Sequence, residues 1–244
     1  MVLQWRSMEG HTARWANAPS GNITKRRGWS AGPGSGKASE PMQCPLVLAS
    51  SSPRRRDLLR HLGIPFLVDP SAVDETPPAG ARPPDVAHTL ARYKALDVAR
   101  RHPDAVVIGA DTLVDLDSTI LNKPVDAADA LRMLRALTGN VHQVHTGIAV
   151  WRLGQLHSRV VSSTVTMHPV TEDALAAYVA GGEPLDKAGA YGAQGEGASL
   201  IARVQGSYLA VVGLPLLALR ELLLEAGMGV DADLTALRRL EGNE

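Results

Sequence analysis

The stretch Ser50-Ser51-Ser52-Pro53-Arg54-Arg55-Arg56-Asp57-Leu58-Leu59 gathers hydroxyls, backbone N–H groups and guanidinium groups in one short run. An apolar segment, Leu46 to Ala49, precedes it and an amphipathic pattern follows. It therefore reads as strand, polar turn and helix start, with Pro53 early in the helix. A helix N-terminus carries partial positive charge, and Arg grips phosphate with paired hydrogen bonds, so this arrangement suits a polyphosphate. The competing reading is a capped surface helix. Arginines in its first turn would then oppose the helix dipole, unless an anion sits among them.

Four further groups of residues can carry chemistry. Gly109-Ala110-Asp111-Thr112 follows an apolar run, Ala105 to Gly109, that reads as a buried strand. A carboxylate just past the carboxyl end of such a strand is placed to hold a divalent metal or orient a water. It can equally be a turn-forming Asp. Asp74-Glu75 can join Asp111 around a metal, or be part of a solvated loop. Lys123, held extended by Pro124, can reach a phosphate as a point charge, or stay a surface lysine.

The fourth group is the glycine-dense segment Glu183 to Gly195. Long irregular segments in folded domains tend to be functional. Asp186 and Lys187 can serve metal and phosphate, or form a structural ion pair. Gln194 has the donor and acceptor needed to read a pyrimidine edge. His142 and His145 fall on opposite faces of a predicted strand and have no third partner, so no zinc site is expected.

Strand and helix patterns alternate from Leu46 onward. Strands are expected at 46–49, 65–68, 105–109 and 199–204. A hairpin is expected over 112–121, and long strands over 141–152 and 155–167 joined at Leu153-Gly154. Helices are expected at 53–62, up to about 101, and at 127–137, 171–180, 216–226 and about 232–240. Long adjacent hairpin strands exclude a purely parallel sheet, so the fold class is α/β with a mixed sheet.

The chain has 244 residues, 45% of them hydrophobic and 4% aromatic, with zero formal net charge. Residues 1–41 hold 6 Lys/Arg and 2 Asp/Glu, leaving 19 and 23 for the remainder. The main body is thus mildly acidic, which argues against a nucleic-acid-binding face. One cysteine, Cys44, excludes internal disulfides and fits a reducing, cytoplasmic setting. No apolar run reaches the length of a membrane span. Residues 1–41 read as a disordered extension ahead of a domain at 42–244, with Met42 a candidate initiator. Gly32 to Ala38 imitates a phosphate loop but has Ala31 and Ala38 at two required positions.

In order and spacing, these segments resemble the Maf family of nucleoside triphosphate pyrophosphatases. The landmarks are Ser50 to Arg55, Asp74-Glu75, Lys94-Ala95, Gly109 to Thr112, Lys123-Pro124, His145-Thr146-Gly147, Glu183 to Gly192, and Val212-Gly213-Leu214-Pro215. The resemblance covers about Leu46 to Ala226. Asn122 and Ala210 depart from residues frequent in the family.

The resemblance implies a long bent mixed sheet with flanking helices and two lobes around a cleft, like the inosine triphosphate pyrophosphatases. It implies cleavage between the α- and β-phosphates with a divalent metal, Mg²⁺ or Mn²⁺, and a homodimer. Asp111 is then the proton acceptor. Ser50, Ser52, Arg55, Lys94, Lys123 and Lys187 bind phosphate, and Glu75, Asp111 and Asp186 hold the metal. Arg54, Thr112 and Gln194 match the subgroup acting on dTTP and UTP. The alternatives are the same fold acting on other or modified nucleotides, and a non-catalytic nucleotide-binding regulator of septum formation. Family members are also linked to cell division arrest and to clearing non-standard nucleotides.

Overall fold

The computed structural model describes residues 44–77 and 80–242. The expected extension, the Met42 start and the phosphate-loop-like segment lie outside these residues. The described residues belong to one unit that begins at Cys44.

Seven strands form one sheet: β1 (Leu46–Leu48), β2 (Phe66–Val68), β3 (Val106–Leu116), β4 (Thr119–Leu121), β5 (Val141–Arg152), β6 (Gln155–Met167) and β7 (Ile201–Gln205). Their order is β2-β1-β3-β5-β6-β7, and β4 pairs with the far end of β3. β1 is parallel to β2 and β3, and the other pairs are antiparallel. The sheet is therefore mixed, as the long hairpin strands require. Both hairpin turns, Asp117-Ser118 and Leu153-Gly154, have two residues at positive φ. That backbone twist matches the twist of the flanking strands.

The helices are α1 (Pro53–Arg60), α2 (Pro83–Ala99), α3 (Ala127–Leu137), α4 (Glu172–Ala180), α5 (Tyr208–Val212), α6 (Leu216–Glu225) and α7 (Leu234–Leu240). Ser52, Asp126, Thr171 and Ser207 cap α1, α3, α4 and α5 through their side chains. This satisfies backbone donors that the helix cannot satisfy itself. α5 was not expected from the sequence, because five apolar-rich residues before a Gly show no helical period.

Strand alternation divides the core between the two faces of the sheet. Leu46, Leu48, Ile108, Ala110 and Val114 join the main core with Leu59 of α1, Leu134 of α3, Leu209 of α5 and Leu219 of α6. Val47, Ala49 and Val107 face the other way, onto Val98 and Ala99 of α2. α2 lies unusually close to the sheet. A Cβ at Gly109 or Gly147 would stand 2.2 Å from the carbonyl oxygen of Ala91 or Ala87. Only glycine admits the helix backbone at these two points.

One expectation needs correcting. β3 does not end at Gly109 with a separate hairpin from Thr112. It runs on through Asp111, because β5 pairs with it continuously from Val107–Trp151 to Asp115–Gln143. What ends here is its other neighbour. The last β1 pair is Leu48–Ile108, and β4 joins only at Val114–Leu121. Between those points, β3 has no strand partner on that edge.

Candidate active site

The gap beside β3 is the mouth of a cleft of about 330 Å³. Asp111 and Thr112 are consecutive in β3, so their side chains leave opposite faces of the sheet. Both nevertheless line the cleft, since the missing strand opens it to both faces. Every residue expected at the site lines it except Gln194 and Asp74, which instead accepts from the Thr76 N–H.

On the α2 face the site is charged. Lys94 of α2 places its Nζ 2.6 Å from Oδ1 of Asp111 and 2.7 Å from Oε1 of Glu75. Lys94 and Asp111 are only 6% and 5% exposed. Two such charges are tolerated inside because each compensates the other. Asp111 Oδ2 is buried and has no hydrogen-bond partner. Glu75, in the loop after β2, is half exposed. Burial pushes its carboxyl up, but Lys94, then Lys123 and Arg55, outweigh this and hold it below the ordinary value.

On the opposite face the site is a hydrogen-bond network. Arg55 donates from Nε to the Gly213 carbonyl (2.9 Å), from Nη1 to Ser50 Oγ (3.2 Å) and from Nη2 to Thr112 Oγ1 (3.0 Å). Ser52 caps α1, accepting from the Arg55 N–H at 3.4 Å. Arg55 thus ties the β1–α1 turn to β3 and to the end of α5. Burial lowers its pKa, against the opposing pull of Asp111 and Glu75. A guanidinium stays charged nonetheless.

The rim carries the remaining charges. Lys187 donates to Asp186 Oδ1 and to the Glu183 carbonyl, both at 2.7 Å. Arg54 lies 3.6 Å from Asp186 Oδ2. Asp186 and Lys187 form the ion pair that the sequence left as one of two readings. Burial raises the Asp186 carboxyl, and Lys187 and Arg54 more than reverse this. Lys123 is exposed at the cleft edge.

Gln194 is exposed and lies outside the lining. The loop bearing it is pinned by residues that sequence reasoning missed. Glu183 accepts from the Tyr178 hydroxyl (3.1 Å) and from the N–H of Glu196 (2.9 Å) and Gly197 (3.3 Å). Tyr178 accepts from the Gly192 N–H at 3.0 Å, and Tyr208 donates to the Ala193 carbonyl at 2.7 Å. Beneath the cleft, Tyr191 meets His142 Nε2 at 2.7 Å. Thr146 was also missed as a side chain of consequence. It bonds to Thr112 at 2.9 Å and to the Ala210 carbonyl at 2.7 Å. Its place in the His145-Thr146-Gly147 landmark was the only signal.

No metal or ligand is present. Among the described residues, no group of three or more Asp, Glu, His or Cys is gathered to cage a metal. Asp186 stands apart from Glu75 and Asp111. Two carboxylates, one with an unpartnered buried oxygen, do suit a Mg²⁺-like ion that draws its other ligands from substrate phosphates and water. The donor set therefore fits a cation arriving with a nucleotide, held by Glu75 and Asp111.

The chain is 50% identical over 191 residues to the dTTP/UTP pyrophosphatase of Moorella thermoacetica, covering 76% of this chain and 96% of that protein. It is 50% identical over 177 residues to that of Oleidesulfovibrio alaskensis, covering 71% and 81%. It is 46% identical over 170 residues to that of Bacillus cytotoxicus, covering 70% and 89%. A solved nucleoside-triphosphatase / dITP/XTP pyrophosphatase from Mycobacterium abscessus aligns at 17% identity and TM-score 0.36, over 52% of this chain and 75% of that one. That likeness is too slight to inform the site. The family model for Maf-like proteins matches residues 45–226, which include all seven strands and every residue lining the cleft, and the chain belongs to the Maf family.

Proposed function

We propose that this protein is a nucleoside triphosphate pyrophosphatase that hydrolyses dTTP and UTP to the monophosphate and diphosphate, in the cytoplasm where those substrates occur. The observation carrying this reading is Asp111. It has one carboxylate oxygen fixed by Lys94 and the other buried and unpartnered at a cleft ringed by cationic side chains.

The reaction is attack of water on the α-phosphorus. A P–O bond forms to the water oxygen, the α–β bridging bond breaks, and the proton passes to the Asp111 carboxylate. Lys94 fixes the position of that carboxylate through Oδ1. Arg54, Lys123 and Lys187 stabilise charge on the departing diphosphate. Ser50 and Ser52 place the phosphates at the N-terminus of α1. Glu75 and Asp111 would hold a divalent cation when one is bound, and it would neutralise charge on the triphosphate. Arg54 and Thr112, which line the cleft, carry the substrate preference, in keeping with relatives named for dTTP and UTP.

The test is a panel of dTTP, UTP, CTP and GTP with Mg²⁺ or Mn²⁺, analysed for monophosphate and diphosphate. Diphosphate from dTTP and UTP ahead of the others is expected. Free phosphate as the first product means cleavage at the γ-phosphate and overturns the reading.

A further inference from the structure

The network around Arg55 has a determined direction. Thr146 Oγ1 lies 2.7 Å from the Ala210 carbonyl, which can only accept, so the single Thr146 proton is used there. At the 2.9 Å contact between Thr112 and Thr146, Thr146 must then accept and Thr112 must donate. Arg55 Nη2 has no lone pair, so at 3.0 Å it donates to Thr112. A hydroxyl has one proton and two lone pairs. Thr112 therefore has one lone pair left for the cleft, and no proton.

Ser50 is the converse. Its Oγ accepts from Arg55 Nη1 at 3.2 Å and from the Ser52 N–H at 3.3 Å, and neither group can accept in return. Both lone pairs are occupied and its proton is free. Arg55 thus makes Ser50 a donor, suited to phosphate oxygen, and Thr112 an acceptor.

We infer that Thr146 is a positioning residue for substrate choice. By accepting the Thr112 hydrogen bond, it leaves Thr112 able only to accept, and opposite N3 of the base that selects the imide N3–H of uracil or thymine, since the one N–H of the cytosine ring system lies on the exocyclic N4. Cytosine presents a bare lone pair at N3, so lone pair would face lone pair. This rests on the pyrimidine triphosphate reading of the cleft and goes beyond it in naming the group read and the residue that enforces it. Thr146 is fully buried and does not line the cleft, so it acts only through Thr112.

The experiment compares kcat/KM for UTP and CTP in wild type, Thr146→Val and Thr146→Ser, with diphosphate release as readout. Wild type should favour UTP by about tenfold or more, the worth of one well-made hydrogen bond with its mismatch. In Thr146→Val the Thr112 proton is free to turn into the cleft and meet cytosine N3. CTP turnover should rise relative to UTP, closing the ratio by about tenfold. Thr146→Ser keeps the acceptor and should keep the wild-type ratio.

A purely packing role would lower both nucleotides together. An unchanged ratio in a folded Thr146→Val protein, or a lost preference in Thr146→Ser, overturns the relay. Should Thr146→Val fail to fold, the wild-type ratio decides, and a value near one overturns it. Wild-type protein that releases no diphosphate from UTP or dTTP overturns the pyrimidine reading itself. That result is distinct from active Thr146→Val enzyme with an unchanged preference.

Discussion

Asp111 and Thr112 are neighbours in the chain, yet they belong to two unlike regions. The α2 side of β3 holds a charged cluster, Glu75–Lys94–Asp111, with a buried ion pair at 2.6 Å. The α1 side holds a chain of hydrogen bonds from Arg55 through Thr112 and Thr146 to a backbone carbonyl. In the proposed function the difference separates two tasks. Proton transfer needs a charge whose energy is poised by a close partner. Base recognition needs donors and acceptors whose directions do not wander. A strand with its neighbour missing lets one cleft use both.

The largest expected effect tests the charged side. Asp111→Asn keeps the shape and removes the acceptor, so diphosphate release should fall by about 10²- to 10⁴-fold, with the order of preferred nucleotides unchanged. A folded Asp111→Asn protein with near-wild-type turnover breaks the assignment.

Removing the partner comes next. Lys94→Met leaves Asp111 buried without its countercharge, which should cost about 3–5 kcal/mol in a denaturant titration. Thr112→Val, on the hydrogen-bonded side, should cost about 1 kcal/mol and alter nucleotide preference instead. Equal losses in the two variants would erase the distinction between the regions.

The two sides also differ in acid. On the α1 side, burial lowers the His142 pKa from 6.5 to about 4. Its folded-state pKa lies below the unfolded value because the charged form is penalised. The contribution to stability is therefore present above pH 6.5 and lost progressively as pH falls to about 4. That is at most about 3 kcal/mol by linkage. Glu75 is also depressed, so its contribution is present above the ordinary value of 4.5 and lost only below it. Stability measured against pH should begin to fall near 6.5 in wild type and fall less steeply in His142→Gln, where the depressed His88 still responds. An identical slope in the two proteins counts against His142 as a group that responds.

The smallest effects concern the rim. Arg54→Ala removes a lining cation and should lower turnover and change relative rates on UTP, dTTP and GTP. Gln194 lies outside the lining, so with the loop in this position Gln194→Ala should change those rates by less than about twofold, below the worth of one hydrogen bond. A larger change would mean that the loop pinned by Glu183 swings inward when nucleotide binds.

Much of the fold was legible because its causes are local. β5 and β6 span 141–152 and 155–167, as alternation and the Leu153-Gly154 turn predict. α3 occupies 127–137, where the apolar period places it. The misreading of β3 has a definite cause. Gly109 followed by an Asp-Thr pair looks like a turn in one dimension, but the glycine is there to admit the backbone of α2. Nothing near residue 109 in sequence reports a helix packed across the sheet.

The site divides in the same way. Residue types and their order were sufficient to pick out the hydroxyls, cationic groups and carboxylates that line the cleft, because these properties belong to each side chain. Three things were decided only in the tertiary structure. Lys94 was brought against Asp111 by glycines on two strands. The faces bearing Asp111 and Thr112 were opened to one cleft by the early end of β1. The proton of Thr112 was directed by Thr146 and a carbonyl 64 residues further on. Each depends on where distant segments stop and meet, and hydrogen-bond direction and burial exist only once those segments are in contact.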